Sequence, residues 1–216
     1  MARIEFHGVV VDPASVEAAW EPEETAMVRQ VIRPGMTALV AGGGFGWIAS
    51  VVAATLGTDH VVVFEPQPAL ATILGYNIRV DGRPLRVQRL AVSDTTGEGW
   101  LWEHPYWAAA SMSRDRDAHG RKMAVQTLAL DQAVRMHSAT ALVLDIEGAE
   151  WAALRSLDFS AIQAAVVEVH ESVIRRDGHA PGDIRRWMEG AGLRIVAEAV
   201  RADGQARWLA GERCDC

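Results

Sequence analysis

The stretch from Thr37 to Gln67 limits the fold more than any other. An apolar run from Thr37 to Ala41 leads into Gly42-Gly43-Gly44-Phe45-Gly46, and a run rich in small apolar residues follows from Trp47 to Leu56. A second apolar run, Val61 to Phe64, ends in Glu65-Pro66-Gln67. The order strand, glycine turn, helix, strand, acid is how an open α/β sheet builds a nucleotide-cofactor site. Glycines there let the backbone pass close to a ligand, where a Cβ would collide with it. An acid about 20 residues further on suits the two hydroxyls of a ribose.

The rest of the chain fits a soluble α/β domain. With 216 residues it is long enough for one self-sufficient core, and we expect a single domain over 1–216, with an N-terminal extension at 1–20 and an inserted hairpin and loop at 96–128. A formal net charge of −7 argues against nucleic acid as a partner, because phosphate binding needs clustered cations. The pairs Arg175-Arg176 and Arg185-Arg186 sit in mixed-charge, helix-like surroundings and read as solvated faces. No apolar run reaches the ~18 residues of a membrane span, and the first residues lack a signal-peptide core. Cys214 and Cys216 are too closely spaced for an easy disulfide and have no further ligands for zinc. These features lead us to expect a cytoplasmic protein with no membrane partner.

In chain order, Ile4 to Val11 alternates weakly, as an edge strand would. Asp12-Pro13 and Glu21-Pro22-Glu23-Glu24 offer helix starts, the second continuing until Arg33-Pro34-Gly35 stops it. Trp47 to Leu56 is apolar nearly all round, which predicts a buried helix closed by Gly57. His60 to Phe64 reads as a parallel strand covered on both faces. A helix over Pro68 to Ile78, a turn at Asp81-Gly82 and a third strand over Arg86 to Val92 follow, so the pattern is that of a doubly wound sheet.

Thr96 to Gly99 interrupts the pattern. Short strands at Trp100 to Glu103 and Lys122 to Leu128 then flank a loop that we expect to be mobile. Beyond it come a helix opened by Asp131, a fourth strand over Ala141 to Leu144, a helix through Leu157 and a fifth strand over Ala164 to Val169. An exposed helix over Pro181 to Glu189 and a closing hairpin turned at Asp203-Gly204 complete the chain.

Ligands of such sheets lie at the carboxyl ends of the strands. The polar groups there are the glycine turn, Glu65, Ser93-Asp94, Asp145, Glu147, Glu168 and His170. So many acids ending apolar strands are costly to bury without a polar ligand or mutual pairing. Gly42, Gly44 and Gly46 spell G-x-G-x-G, whereas the dinucleotide fingerprint wants glycine where Trp47 stands. That counts against a nicotinamide cofactor and favours a nucleoside without pyrophosphate. Asp145, Glu147, Glu168 and His170 are also metal-compatible side chains, but no HxxxH or paired-ligand spacing supports an ion, so none is expected.

These motifs together resemble the FkbM-type methyltransferases. The likeness is carried by Glu21-Pro22-Glu23, Arg33-Pro34-Gly35-Met36, the turn ending Gly46-Trp47, and Phe64-Glu65-Pro66-Gln67-Pro68. It continues through Leu90 to Asp94 with Gly97, Thr127 to Asp131, Leu142 to Trp151 with Leu154, and Val167 to His170. The resemblance implies a Rossmann-like class I methyltransferase fold, a doubly wound, mostly parallel seven-stranded sheet with an antiparallel last strand. It implies S-adenosylmethionine as cofactor and a hydroxyl on a sugar, polyketide or other small molecule as acceptor. It also assigns the site. Gly42, Gly43, Gly44, Phe45 and Gly46 would face the methionine part, and Glu65 with Pro66 the ribose. Ala91, Ser93 and Asp94 would flank the adenine, with Asp145 beside the sulfonium and acceptor.

Two positions depart from the family pattern. Val40 stands where an Asp is usual, which predicts a weaker hold on the methionine ammonium. Leu144 stands where a Lys is usual, which leaves the Asp145 anion less stabilised.

Methyl transfer is an in-line displacement that needs alignment above all. An alcohol also needs a base, assigned here to Asp145 or His170, with Glu147 or Glu168 orienting it. Trp100, Trp102, Tyr106 and Trp107 either pack the insertion onto the sheet or wall the acceptor pocket. A shallow pocket would admit completion by a second copy of the chain. Two other readings stay open: a nicotinamide-dependent oxidoreductase, and a cofactor-binding protein with little catalysis.

Overall fold

The computed structural model describes residues 3–11, 16, 22–103, 110–112, 121–180, 182–201, 203–204 and 206–213. Fourteen strands and seven α-helices are described. The strands are β1 (Ile4–Phe6), β2 (Val9–Val11), β3 (Ala38–Ala41), β4 (Val61–Phe64), β5 (Ile78–Val80), β6 (Arg83–Pro84) and β7 (Arg86–Gln88). The others are β8 (Ala91–Ser93), β9 (Gly97–Trp102), β10 (Lys122–Ala129), β11 (Ala141–Leu144), β12 (Ala164–His170), β13 (Leu193–Val200) and β14 (Ala206–Arg213). The helices are α1 (Pro22–Val31), α2 (Trp47–Leu56), α3 (Pro68–Asn77), α4 (Leu130–His137), α5 (Glu150–Arg155), α6 (Glu171–Arg176) and α7 (Asp183–Gly190).

The main sheet has seven strands in the order β13-β14-β12-β11-β3-β4-β7. β14, the last strand, runs antiparallel to both its neighbours, and the remaining pairs are parallel. This is the α/β class and the mostly parallel sheet expected from the sequence. The order reverses between β3 and β11, so the crevice that binds ligands in such sheets opens at their carboxyl ends.

Apolar burial on both faces holds the sheet together. Leu39, Ala41, Phe64, Leu144 and Val167 pack on one face with Leu130 and Leu154. Val40, Val63, Val143 and Val166 pack on the other with Met27 and Val28 of α1 and Ala49 and Val52 of α2. Successive residues of one strand thus enter opposite cores, as the period of two requires. Val40 therefore sits on the α1 face and Leu144 on the opposite face, fully buried.

Several expectations are corrected. Ile4 to Val11 is a hairpin, turned at His7 and Gly8, in a separate four-stranded sheet with β5 and β6. Arg86 to Val92 divides: β7 pairs with β4, while β8 leaves the sheet to pair with β10. Gly97 to Gly99 lie within β9, paired with β10, and a Cβ on Gly99 would meet Thr127 and Met112. α6 ends in the Arg175-Arg176 pair, whose surroundings read as helix-like, and α7 is amphipathic, with Ile184 and Met188 fully buried. The Asp12-Pro13 helix start, the Tyr106 and Trp107 side chains, most of the loop expected to be mobile, and the two cysteines lie outside the described residues. No helix among the described residues is long and apolar enough to cross a membrane.

Candidate active site

A cavity of about 210 Å³ opens at the carboxyl ends of β3, β4 and β11. Its floor is the turn between β3 and α2. Gly42 has φ 84 and Gly46 has φ 90, both in the left-handed region that favours glycine. A Cβ on Gly42 would lie 1.6 Å from the Asp145 carbonyl oxygen, and one on Gly46 would lie 2.2 Å from a Leu74 methyl. The turn needs glycine for its own packing against β11 and α3, which refines the expectation that a ligand alone excludes the side chains. Trp47, the first residue of α2, is buried and its indole N–H donates to Thr25 Oγ1 at 3.1 Å. The position where a dinucleotide site would have its third glycine instead pins α1 to α2.

Glu65 ends β4 and is 3% exposed. One carboxylate oxygen accepts from the Gly44 N–H at 2.9 Å and the other from the Gln67 N–H at 2.8 Å. Burial pushes this carboxyl up to about 7, against the lowering effect of the two backbone donors and with a further push from Asp145. No cation neutralises it in these contacts. Its free lone pairs face a cavity also lined by Pro66, Gln67 and Ala91.

Among the described residues, five carboxylates (Glu24, Glu65, Asp145, Glu147 and Glu168) and one cation, Arg201, line the cavity. Glu168 lies in β12, two residues before its end, and is buried, with Oε1 3.3 Å from an Arg201 guanidinium nitrogen. Burial pulls the Arg201 guanidinium down, but Asp203, Glu168 and Asp145 together hold it above its usual range. Arg201 thus supplies a cation on the Asp145 side of the site, where Leu144 supplies none. Sequence reading missed it; its place beside the Asp203-Gly204 turn was the available signal. Glu24 was read only as a first-turn acid of α1, yet it is 1% exposed and on the cavity wall.

His170 lies elsewhere. It is 1% exposed and does not line the cavity. Its Nδ1 is 3.0 Å from Glu150 Oε1, and its Nε2 is 3.1 Å from Glu147 Oε2 and 3.8 Å from Glu168 Oε1. Burial lowers the imidazole's proton affinity, but Glu150 above all, then Asp145 and Glu168, raises it further, so the net shift is upward. Glu150 is shifted downward: His170 and the Gly148 N–H outweigh its burial. The contact favours the charged forms of both groups, and burial shuts the imidazole off from the cavity. Of the two residues expected to serve as base, Asp145 lines the cavity and His170 does not. Ser93 and Asp94 also stand off the cavity wall: the Ser93 hydroxyl donates to Asp94, whose carboxylate lies 3.6 Å from Arg155 of α5.

The loop between β11 and α5 carries Asp145 and Glu147. Glu147 has φ 55, a strained value for a non-glycine residue. Its carbonyl accepts from the Ser111 hydroxyl at 2.5 Å, and Ser111 bridges to Trp102. The insertion is therefore stitched to the acid loop. Its Leu101, Ala110 and Met112 form an apolar cavity wall. Trp100 is 51% exposed and holds Lys122 over its ring at 3.7 Å, away from the cavity.

Asp145, Glu150 and His170 are the one group among the described residues with metal-compatible spacing, their ligand atoms within 4.8 Å of one another. Two of the three already neutralise each other.

Comparison with known proteins agrees with this geometry. The Methyltransferase FkbM domain matches residues 41–195. Magnesium protoporphyrin IX methyltransferase (ChlM) from Synechocystis PCC 6803, solved with bound SAM, shares the fold at a TM-score of 0.50 and 12% identity, over 93% of this chain and 81% of that one. The same enzyme with bound SAH gives 0.50 and 12%, over 93% and 84%. At such identity the likeness is one of fold. No curated protein matches the sequence. The chain belongs to the FkbM methyltransferase domain family, whose methyl donor is S-adenosylmethionine.

Proposed function

We propose that the chain transfers a methyl group from S-adenosylmethionine to a hydroxyl oxygen of a small molecule, in the cavity above β3, β4 and β11. The observation that carries this reading is the charge of the wall, where the described residues place five carboxylates and one guanidinium. S-adenosylmethionine brings a sulfonium and an ammonium, and its sulfonium makes the attached methyl electrophilic. Glu65, whose two oxygens already accept backbone N–H groups, keeps lone pairs for the two ribose hydroxyls. Pro66, Gln67, Ala91 and Val92 give the flatter, less charged wall suited to an adenine. Gly42 to Gly46 form the floor beneath the methionine part.

Asp145 is the residue best placed to receive the acceptor's proton. It lies on the cavity wall, whereas His170 is sealed behind it. Glu168, held by Arg201, orients the acceptor from β12. The apolar wall of Leu101, Ala110 and Met112 excludes water from one side of the acceptor. A positioned base contributes roughly 10²–10⁴-fold, so Asp145→Asn should lower turnover by about that factor with little change in cofactor affinity. Methyl transfer to a panel of hydroxylated sugars and polyketides, each paired with an amine analogue, tests the reading. Turnover only of the amines, or full activity of Asp145→Asn, would overturn it.

A further inference from the structure

The cavity wall has an acid that strand-end reasoning does not reach. β3 offers no carboxylate near the glycine turn, because Val40 is buried among Met27, Val28 and Trp47. Helix α1 covers this side of the sheet, and its Glu24 lines the cavity at 1% exposure. The placement follows from the neighbouring contact. Thr25 accepts from the Trp47 indole, and Trp47 directly follows Gly46, so the first turn of α1 is clamped against the end of the glycine turn. A carboxylate in a wall shielded from solvent can give a cationic ligand group a charge-assisted hydrogen bond.

The direction of the cavity says which group that is. Glu65 ends β4, and the wall beyond it runs through Gln67, Leu70 and Ala91 toward the β7 edge. On the other side of the glycine turn lie β11 and β12, the region over which α1 packs with Val166 and Trp208. A ligand with its ribose on Glu65 and its base beyond has its other end on the α1 side. In S-adenosylmethionine that end carries the α-ammonium.

We propose that Glu24 of α1 binds the α-ammonium of S-adenosylmethionine, supplying from a helix the negative charge that Val40 does not supply from the strand. This rests on the cofactor reading above. It also makes the clamp of α1 onto Trp47 part of the cofactor site, so the start of that helix discriminates between ligands with and without an amino group.

Calorimetric titration tests it with S-adenosylhomocysteine, its desamino analogue, and 5′-methylthioadenosine, which lacks the whole amino-acid end. Wild type should bind the desamino analogue roughly 10- to 100-fold more weakly than S-adenosylhomocysteine, the range of one charge-assisted hydrogen bond. Glu24→Gln should erase that difference while binding 5′-methylthioadenosine as wild type does. Equal wild-type affinity for the amino and desamino ligands overturns the proposal, and this arm needs no variant to fold. Loss of 5′-methylthioadenosine binding in Glu24→Gln also overturns it, since that marks a general structural role. Failure of wild type to bind any of the three ligands overturns the cofactor reading itself, and this proposal with it.

Discussion

Two buried carboxylates, Glu65 just past β4 and Glu150 at the start of α5, behave in opposite ways. Glu65 accepts only two backbone N–H groups, and burial pushes it up to about 7. Glu150 is more deeply buried, but His170 sits 3.0 Å away and the shift is downward. The difference is the counter-ion. Glu150 has completed its electrostatics inside the fold, whereas Glu65 still gains from a ligand that donates hydrogen bonds to its charged form. One acid holds the site together, and the other waits for its occupant.

The sharpest way to break this contrast is to cut the internal pair. Removing one partner of a buried ion pair typically costs about 3–5 kcal/mol, because the other charge is stranded. Glu150→Gln should therefore lower urea-unfolding stability by roughly that much, while a variant as stable as wild type would show that the pair is dispensable. Gly42→Ala should follow at about 2–4 kcal/mol, since its Cβ would overlap the Asp145 carbonyl and the backbone there is left-handed. Its thermal melt reads this directly.

Glu65→Gln should act on affinity. Two hydrogen bonds to a charged acceptor predict a loss of roughly 10²-fold or more in affinity for S-adenosylmethionine by calorimetry. An unchanged Kd would move the ribose elsewhere.

The most gradual effect is the pH dependence of the ligand-free protein. The carboxyl of Glu65 rises on folding from about 4.5 to about 7. The folded state therefore holds a proton that the unfolded chain has lost, and stability falls as pH rises between those values. The limit is about 3 kcal/mol, from the shift at 1.36 kcal/mol per unit. His170, shifted upward, adds to the fall as pH rises above its ordinary value. Glu150, shifted downward, instead loses its contribution as pH falls below the ordinary carboxylate range. Melts from pH 5 to 8 should show declining stability, and Glu65→Gln should flatten the part below pH 7.

Much of this was readable beforehand. The Thr37 to Gln67 unit appears with helix α2 at the predicted bounds, because its apolar runs and glycine stops are local signals. Glu65, Asp145 and Glu168 stand at strand ends on the cavity wall, since parallel strands in an open sheet present their carboxyl ends together. What stayed hidden depends on distant packing. His170 ends β12 behind the cavity wall, where Glu150 of the preceding helix α5 meets its Nδ1. Arg201 and Glu24 reach the cavity from a hairpin end and from a helix preceding the sheet; the Asp203-Gly204 turn hints at the first, and no spacing announces the second. The split of Arg86 to Val92 was equally invisible, because pairing of β8 with β10 is decided some 35 residues later.

The most direct test of the account is the calorimetric titration of S-adenosylmethionine into wild type and Glu65→Gln, each at pH 6 and pH 8. The account predicts wild-type binding that tightens by up to roughly 10-fold at the higher pH, with net proton release at pH 6, and weak, pH-independent binding by the variant. Equal affinity for the two proteins at both pH values would contradict it.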